Sequence, residues 1–215
     1  MWIKRAMRDI ARSMMGRRIA LAAVAVAAFM IGIVADRVYR HSRHTAGDAT
    51  DHLVYQLRVS QFRVLRRPAR VLMVGDSLTA FGEWSELLGP GAVNRGIGGD
   101  TTGGLIARLD ALPSAQRTYL MIGTNDLARL TPEEIAARTQ VIVGRLPGQV
   151  FVQSVLYRHD GYRAQITRLN ALNRHWCETS GRCRYIGLNA AVTSRARDGL
   201  HLDGAAYQAW ADQIH

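Results

Sequence analysis

Apolar positions along the chain follow distinct rhythms. Residues 19–35 (IALAAVAVAAFMIGIVA) form a seventeen-residue run without a charge, bracketed by Arg17-Arg18 and by Asp36-Arg37. As a helix such a run is roughly 25 Å long, the short end of what a bilayer core requires. Lys4, Arg5, Arg8, Arg12, Arg17 and Arg18 precede it, and Arg37, Arg40 and Arg43 follow; this bias leaves the N-terminus in the cytoplasm and sends the rest outward. An apolar circumference between basic flanks does not suit a buried core helix. The rival reading is a cleaved signal peptide, which needs an apolar stretch of about 7–15 residues and small side chains at the first and third positions before the cut. Ala35 meets that condition and Ile33 does not. Arg17-Arg18 also fits a twin-arginine export signal, which Ile19-Ala20-Leu21 continues poorly. The pattern predicts a single-pass signal-anchor in the inner (cytoplasmic) membrane, with the remainder on the periplasmic or extracytoplasmic side; secretion after cleavage is the alternative.

Residues 36–51 are polar and read as a tether. Leu53 to Arg67 then carries Leu53, Val54, Leu57, Val59, Phe62 and Leu65 at a mostly helical period, and Pro68 stops it. From Arg70 short apolar runs alternate with amphipathic ones. The spacing predicts strands over 71–75, 92–94, 118–122, 149–155 and 184–188, and helices near 83–89 and over 102–112, 132–146, 162–178 and 204–214. Thr131-Pro132-Glu133-Glu134 is a good helix start, with a Thr cap, a Pro in the first turn and a Glu three residues after the cap. Five βα units imply an α/β fold: a three-layer αβα sandwich around a five-stranded parallel sheet of flavodoxin-like kind, with ligand chemistry at the carboxyl ends of the strands. The expected organisation is a basic cytoplasmic segment at 1–18, a transmembrane signal-anchor at 19–35, a tether and linking helix at 36–69, and a catalytic domain at 70–215.

With 215 residues, the chain holds one ordinary domain plus appendages. Its formal charge of +11 suggests nucleic acid until it is divided. Residues 1–70 hold 14 Lys+Arg against 4 Asp+Glu (+10), and residues 71–215 hold 14 against 13 (+1). The globular part is nearly neutral, so no nucleic-acid partner is expected. Lys4 is the only lysine, which excludes a phosphate-binding loop ending in Gly-Lys-Ser/Thr, a kinase-type ATP lysine and Schiff-base chemistry. No His-Glu-x-x-His or Cys-x-x-Cys pair announces a metal. Cys177 and Cys183 lie around Ser180-Gly181, where a helix gives way to a strand; spacing leaves open whether they form a disulfide or two thiols.

Polar clusters follow the predicted strands: Gly75-Asp76-Ser77-Leu78, then Asn94-Arg95-Gly96-Ile97-Gly98-Gly99-Asp100-Thr101-Thr102, then Gly123-Thr124-Asn125-Asp126. A fourth, Asp198-Gly199-Leu200-His201, precedes the last helix. Ser77 offers a hydroxyl, His201 an imidazole, the side-chain type that changes charge near neutral pH, and Asp198 a carboxylate able to fix its tautomer. Each alone is weak, because a Ser after a strand is usually a turn residue and a lone His near a terminus a solvated one. The glycines of 96–104 lack the full dinucleotide fingerprint. Together the clusters supply the parts of a nucleophilic hydrolase.

On these four blocks, in this order, the chain resembles the SGNH (GDSL) hydrolases over about residues 70–215, and within them the platelet-activating-factor acetylhydrolase and sialate O-acetylesterase type. The resemblance implies Ser77 as nucleophile, His201 as general base and then acid, and Asp198 as its orienting partner. It implies an oxyanion hole made of the backbone N–H groups of Ser77 and Gly99 and the side-chain amide of Asn125. Asp76 is read as holding the turn, Asp126 as securing the loop that presents Asn125, and Asp100, Thr101 and Thr102 as loop structure. The loop Ser154-Val155-Leu156-Tyr157-Arg158 lacks a proline that relatives often carry; Tyr157 and Arg158 are either substrate contacts or ordinary surface residues. The implied activity is a serine esterase that releases a short acyl group, most simply acetyl, from a small-molecule, carbohydrate or lipid-linked ester without a cofactor. Acyl transfer to an alcohol, lysophospholipase or thioesterase action, and a non-catalytic glycan-binding subunit are the rival readings.

Overall fold

The computed structural model describes residues 52–214. The expected anchor at 19–35 and its tether lie outside the described residues, and no described helix is long and apolar enough to cross a membrane. Helix α1 covers residues 52–64. It is followed by β1 (Ala69–Gly75), α2 (Ser77–Ala80), α3 (Trp84–Leu87), β2 (Ala92–Gly96), α4 (Thr102–Ala107), β3 (Ala115–Met121), α5 (Pro132–Val143), β4 (Gln149–Gln153), α6 (Arg163–Ser180), β5 (Arg184–Ile186) and α7 (Gly204–Asp212).

The strands form one parallel sheet in the order β2-β1-β3-β4-β5. Central strands buried on both faces read as continuous apolar runs, and β1 is buried from Val71 to Gly75. Val71 and Met73 face a layer containing Trp84 and Trp210, while Leu72 and Val74 face Leu105, Ile142 and Cys177. This is the three-layer α/β arrangement that the alternation predicted. The order reverses between β1 and β3, the point at which open α/β sheets place ligand sites beyond the carboxyl ends of the strands.

Several boundaries differ from the periodicity because side chains intervene. A short helix, α2, begins at Ser77 itself, capped by the Asp76 carboxylate. The helix expected over 102–112 ends at Ala107, and a 3₁₀ turn, Leu109–Ala111, follows; Arg108 between them leaves helical geometry (φ −120°, ψ 11°) with its guanidinium committed to Asp100. The β4 ladder stops at Gln153 and not at 155, since the Asn170 amide takes both the N–H and the C=O of Val155. Likewise β5 stops at Ile186, and the Leu188 N–H turns to Ser154 Oγ. The capping box of Thr131 and Glu134 is present. Helix α6 ends on Gly181 in the left-handed conformation (φ +64°), which glycine adopts without a Cβ penalty. Cys177 and Cys183 close this junction as a disulfide, settling the pairing that spacing left open.

Helix α1 is apolar on two sides. Phe62, with Tyr55 and Val59, packs against Ile97 and Ala111, whereas Leu53, Val54, Leu57 and Val64 are exposed. The periodicity predicted the helix but not this division.

Candidate active site

The polar clusters converge beyond the carboxyl ends of β1 and β3. Ser77 is the first residue of α2 and is buried. Asp76 stands before it in extended geometry and accepts the Leu78 N–H at 3.0 Å. This is an N-cap bond, which fixes the turn that presents Ser77. The Asp76 side chain is fully buried and its Oδ2 has no partner. Burial pushes its carboxyl up to about 7, against the Leu78 N–H and helped by the charges of Asp100 and Asp126.

His201 comes from the loop between β5 and α7. Its Nε2 lies 3.0 Å from Ser77 Oγ, and its Nδ1 lies 2.5 Å from Asp198 Oδ2. Asp198 Oδ1 accepts the backbone N–H groups of Leu200 and His201, each at 3.0 Å. The bond from His201 and then these two N–H groups hold the Asp198 carboxyl down to about 2, so it is an anion at neutral pH. An anionic carboxylate only accepts, which places the proton of a neutral imidazole on Nδ1 and leaves the Nε2 lone pair facing the Ser77 hydroxyl. Gly199 (φ +71°) makes the tight turn between Asp198 and His201; any Cβ there would meet His159 Cβ at 3.0 Å.

The expected oxyanion donors lie in the two neighbouring loops. Gly99 is exposed and left-handed (φ +72°), a conformation that aims its N–H where other residues would be strained. Asn125 donates from Nδ2 to the Asp100 carbonyl at 2.9 Å; an amide carries two N–H groups, so the second remains for a ligand. Asp126 anchors this loop by accepting the Thr102 N–H at 3.0 Å and its hydroxyl at 2.6 Å. Thr101 caps α4. Asp100 is more than loop: buried, it meets Arg108 Nη2 at 2.6 Å, and burial raises its carboxyl despite that cation. Arg108 also donates to the Gly75 carbonyl at 3.3 Å, tying the second loop to the end of β1. Of the uncertain pair, Arg158 donates to the Thr124 carbonyl at 3.1 Å beside Asn125, and Tyr157 bonds Thr167 through its hydroxyl at 3.1 Å.

Two residues at the site escaped the sequence reading. Phe81, exposed, has its ring 5.3 Å from that of His201; its position four residues after Ser77 in a helical turn was the available signal. Arg108 had none, since in a chain with one lysine among 28 basic residues no single arginine stands out. Among the described residues no cluster of His, Cys, Asp and Glu has metal-binding geometry.

A family model described as GDSL-like lipase/acylhydrolase matches residues 73–209. No curated protein sequence matches the chain. Among solved structures, a Streptococcus pneumonia protein described provisionally as a platelet activating factor superposes with a TM-score of 0.71 at 21% identity, covering 80% of this chain and 97% of its own. A carbohydrate acetylesterase from Sinorhizobium meliloti gives a TM-score of 0.56 at 19% identity, covering 68% of this chain and 98% of its own. A variant of an acetyl-xylooligosaccharide esterase from Geobacillus gives 0.58 at 18%, covering 70% and 94%. At these identities the structures attest the fold.

Proposed function

The chain belongs to the GDSL-like lipase/acylhydrolase family and is an SGNH-type serine ester hydrolase, and from that premise we propose that Ser77, His201 and Asp198 perform the chemistry. The observation that carries this reading is the 3.0 Å approach of His201 Nε2 to Ser77 Oγ, with the Asp198 anion at the opposite ring nitrogen. Ser77 Oγ attacks the ester carbonyl carbon while its proton passes to His201 Nε2. The negative charge on the former carbonyl oxygen is received by the N–H groups of Ser77 and Gly99 and the free N–H of Asn125; one such donor contributes about 3–4 kcal/mol to the transition state. Collapse expels the alcohol, which takes the proton back from His201 and leaves an acyl-serine. Water, deprotonated by His201, then releases the acid and restores Ser77.

The substrate in this reading is a short-chain ester, acetyl above all, of a carbohydrate or lipid-linked alcohol. It is supported by the descriptions of two similar structures as acetylesterases of carbohydrate. Residues 19–35 anchor the enzyme in the inner membrane with the catalytic domain outside, a reading supported by the uncharged run and its basic bias. The test is hydrolysis of p-nitrophenyl esters from acetyl to palmitoyl by the full chain in detergent, beside its Ser77→Ala variant. Ser77-dependent acetyl release that fades with chain length is expected, with the variant slower by about 10⁴-fold or more. Near-normal turnover by folded Ser77→Ala overturns the site, and a long-chain optimum moves the substrate to lipids.

A further inference from the structure

Helix α1 shows solvent an apolar row that no described residue covers. Leu53 is 57% exposed, Val54 48%, Leu57 55% and Val64 80%. At 100° per residue these four fall within one arc of the helix, opposite Tyr55, Val59 and Phe62, which face the domain. Leu65, 57% exposed, continues the row past the helix end. Scattered exposed leucines need no explanation, but a contiguous row does.

Within residues 52–70 the charge beside this row is of one sign. Residues 52–70 contain Arg58, Arg63, Arg66, Arg67 and Arg70 and no Asp or Glu. Arg66, Arg67 and Arg70 donate to the backbone carbonyls of Asp110, Pro90 and Leu88, which are neutral and leave the positive charge in place. Val64 and Leu65 also form one wall of a groove of about 710 Å³ whose other walls include Arg58, Arg66, Arg67 and Arg95, with Glu83 the one acidic residue among the lining. Arg95 is 7% exposed and its buried Nε has no partner. Its guanidinium is pushed down to about 10, by burial first and then by the charges of Arg58, Arg108 and Arg67. A face crowded with cations beside exposed aliphatic side chains complements anionic headgroups above acyl chains. A second copy of the same face would set five arginines against five.

We propose that α1 docks the domain on an anionic bilayer, with Leu53, Val54, Leu57 and Val64 entering the boundary between headgroups and acyl chains and the bordering arginines meeting lipid phosphates. The proposal rests on the anchored reading of residues 19–35. Sixteen residues, 36–51, separate that run from α1, and even fully extended they reach no more than about 58 Å. A tether of that length allows an anchored chain to bring this face to the membrane.

The test places an environment-sensitive fluorophore on Leu57→Cys, on Val64→Cys and, as a control on α5, on the exposed Val141→Cys of the full chain. Each protein is reconstituted in phosphatidylcholine vesicles with and without phosphatidylglycerol. Flotation with the vesicles after a high-salt wash reports the anchor, and quenching by shallow spin-labelled lipid reports docking. Quenching at positions 57 and 64 but not 141, strengthened by phosphatidylglycerol, is expected. Arg63→Gln should then lower the docked-to-undocked ratio about fivefold. Protein that floats with its probes at 57 and 64 unquenched overturns the docking face and leaves the anchor standing. An apolar-type emission at 57 and 64 that disappears on dilution, without lipid quenching, assigns the face to a second copy and also overturns it. Protein that does not float overturns the anchor, and the docking face with it.

Discussion

Replacing Arg108 with Met isolates the effect of the buried ion pair behind the second loop. The Asp100 and Arg108 side chains are essentially unexposed, and Arg108 contributes Nε at 2.8 Å and Nη2 at 2.6 Å to the same carboxylate oxygen. Removing one partner of a buried pair leaves the other charge without compensation and costs about 3–5 kcal/mol. For a domain of this size that lowers Tm by roughly 6–20 °C. The loss should depend on pH. Burial already raises the Asp100 carboxyl with Arg108 present, and without the cation the folded-state value rises further. A carboxyl whose folded value lies above its unfolded value contributes stability that is complete below the unfolded value and is lost as pH rises through the folded one. Urea melts of wild type and Arg108→Met should therefore differ little near pH 4 and most at neutral pH. The double variant Asp100→Asn, Arg108→Met retains an acceptor for the Thr101 N–H, bonded at 2.9 Å to Asp100 Oδ1, and buries no charge, so it should recover at least about 1 kcal/mol of the single variant's loss. A loss equal at both pH values, or a double variant no more stable than Arg108→Met, refutes the reasoning.

Asn125→Ala should lower kcat for p-nitrophenyl acetate by about 10²–10³ with a smaller change in KM; equal kcat removes Asn125 from the oxyanion site. Asp76, pushed up to about 7 by burial, contributes stability that is complete below about pH 4 and lost as pH rises to 7. Thermal melts across that window should slope downward in wild type and flatten in Asp76→Asn, whose amide oxygen can still accept the Leu78 N–H; parallel profiles count against a buried neutral carboxyl. Cys177→Ser with Cys183→Ser opens a short loop and should cost about 2 kcal/mol in urea melts under oxidising conditions. Wild type treated with reductant should fall to the same stability, and a wild type insensitive to reductant contradicts the bridge.

What the sequence made legible was whatever repeats or has a fixed chain offset. Alternation announced the parallel sheet because β1, buried on both faces, has to be apolar without interruption. Asp198 and His201, three apart, share one turn, and Asp76 caps the helix that Ser77 begins. Contacts made by one polar side chain across the chain stayed hidden. Asn170, fifteen residues from Val155, ends β4, and Arg108 reaches Gly75, thirty-three residues away. Such choices depend on which carbonyl or carboxylate the fold leaves unmatched, and neither periodicity nor local propensity carries that information. The two-sided helix α1 was half legible for the same reason, since period reports an apolar face but not what lies against it.

The inner side of α1 sets the size of the smallest fragment that can be expected to work alone. The region matched by the family model begins at residue 73, inside β1. A fragment cut there loses half of an interior strand. A fragment cut at β1 keeps the sheet but removes Phe62, which is 1% exposed and packs on Ile97 and Ala111. It also removes Tyr55, whose hydroxyl is pushed up to about 12 by burial and then by the charge of Asp100. Ile97 and Asp100 bracket Gly99, so the lost floor lies beneath a proposed oxyanion donor. The unit that sequence comparison recognises is thus smaller than the unit that folds into a working shape, and a truncation series should begin before residue 52.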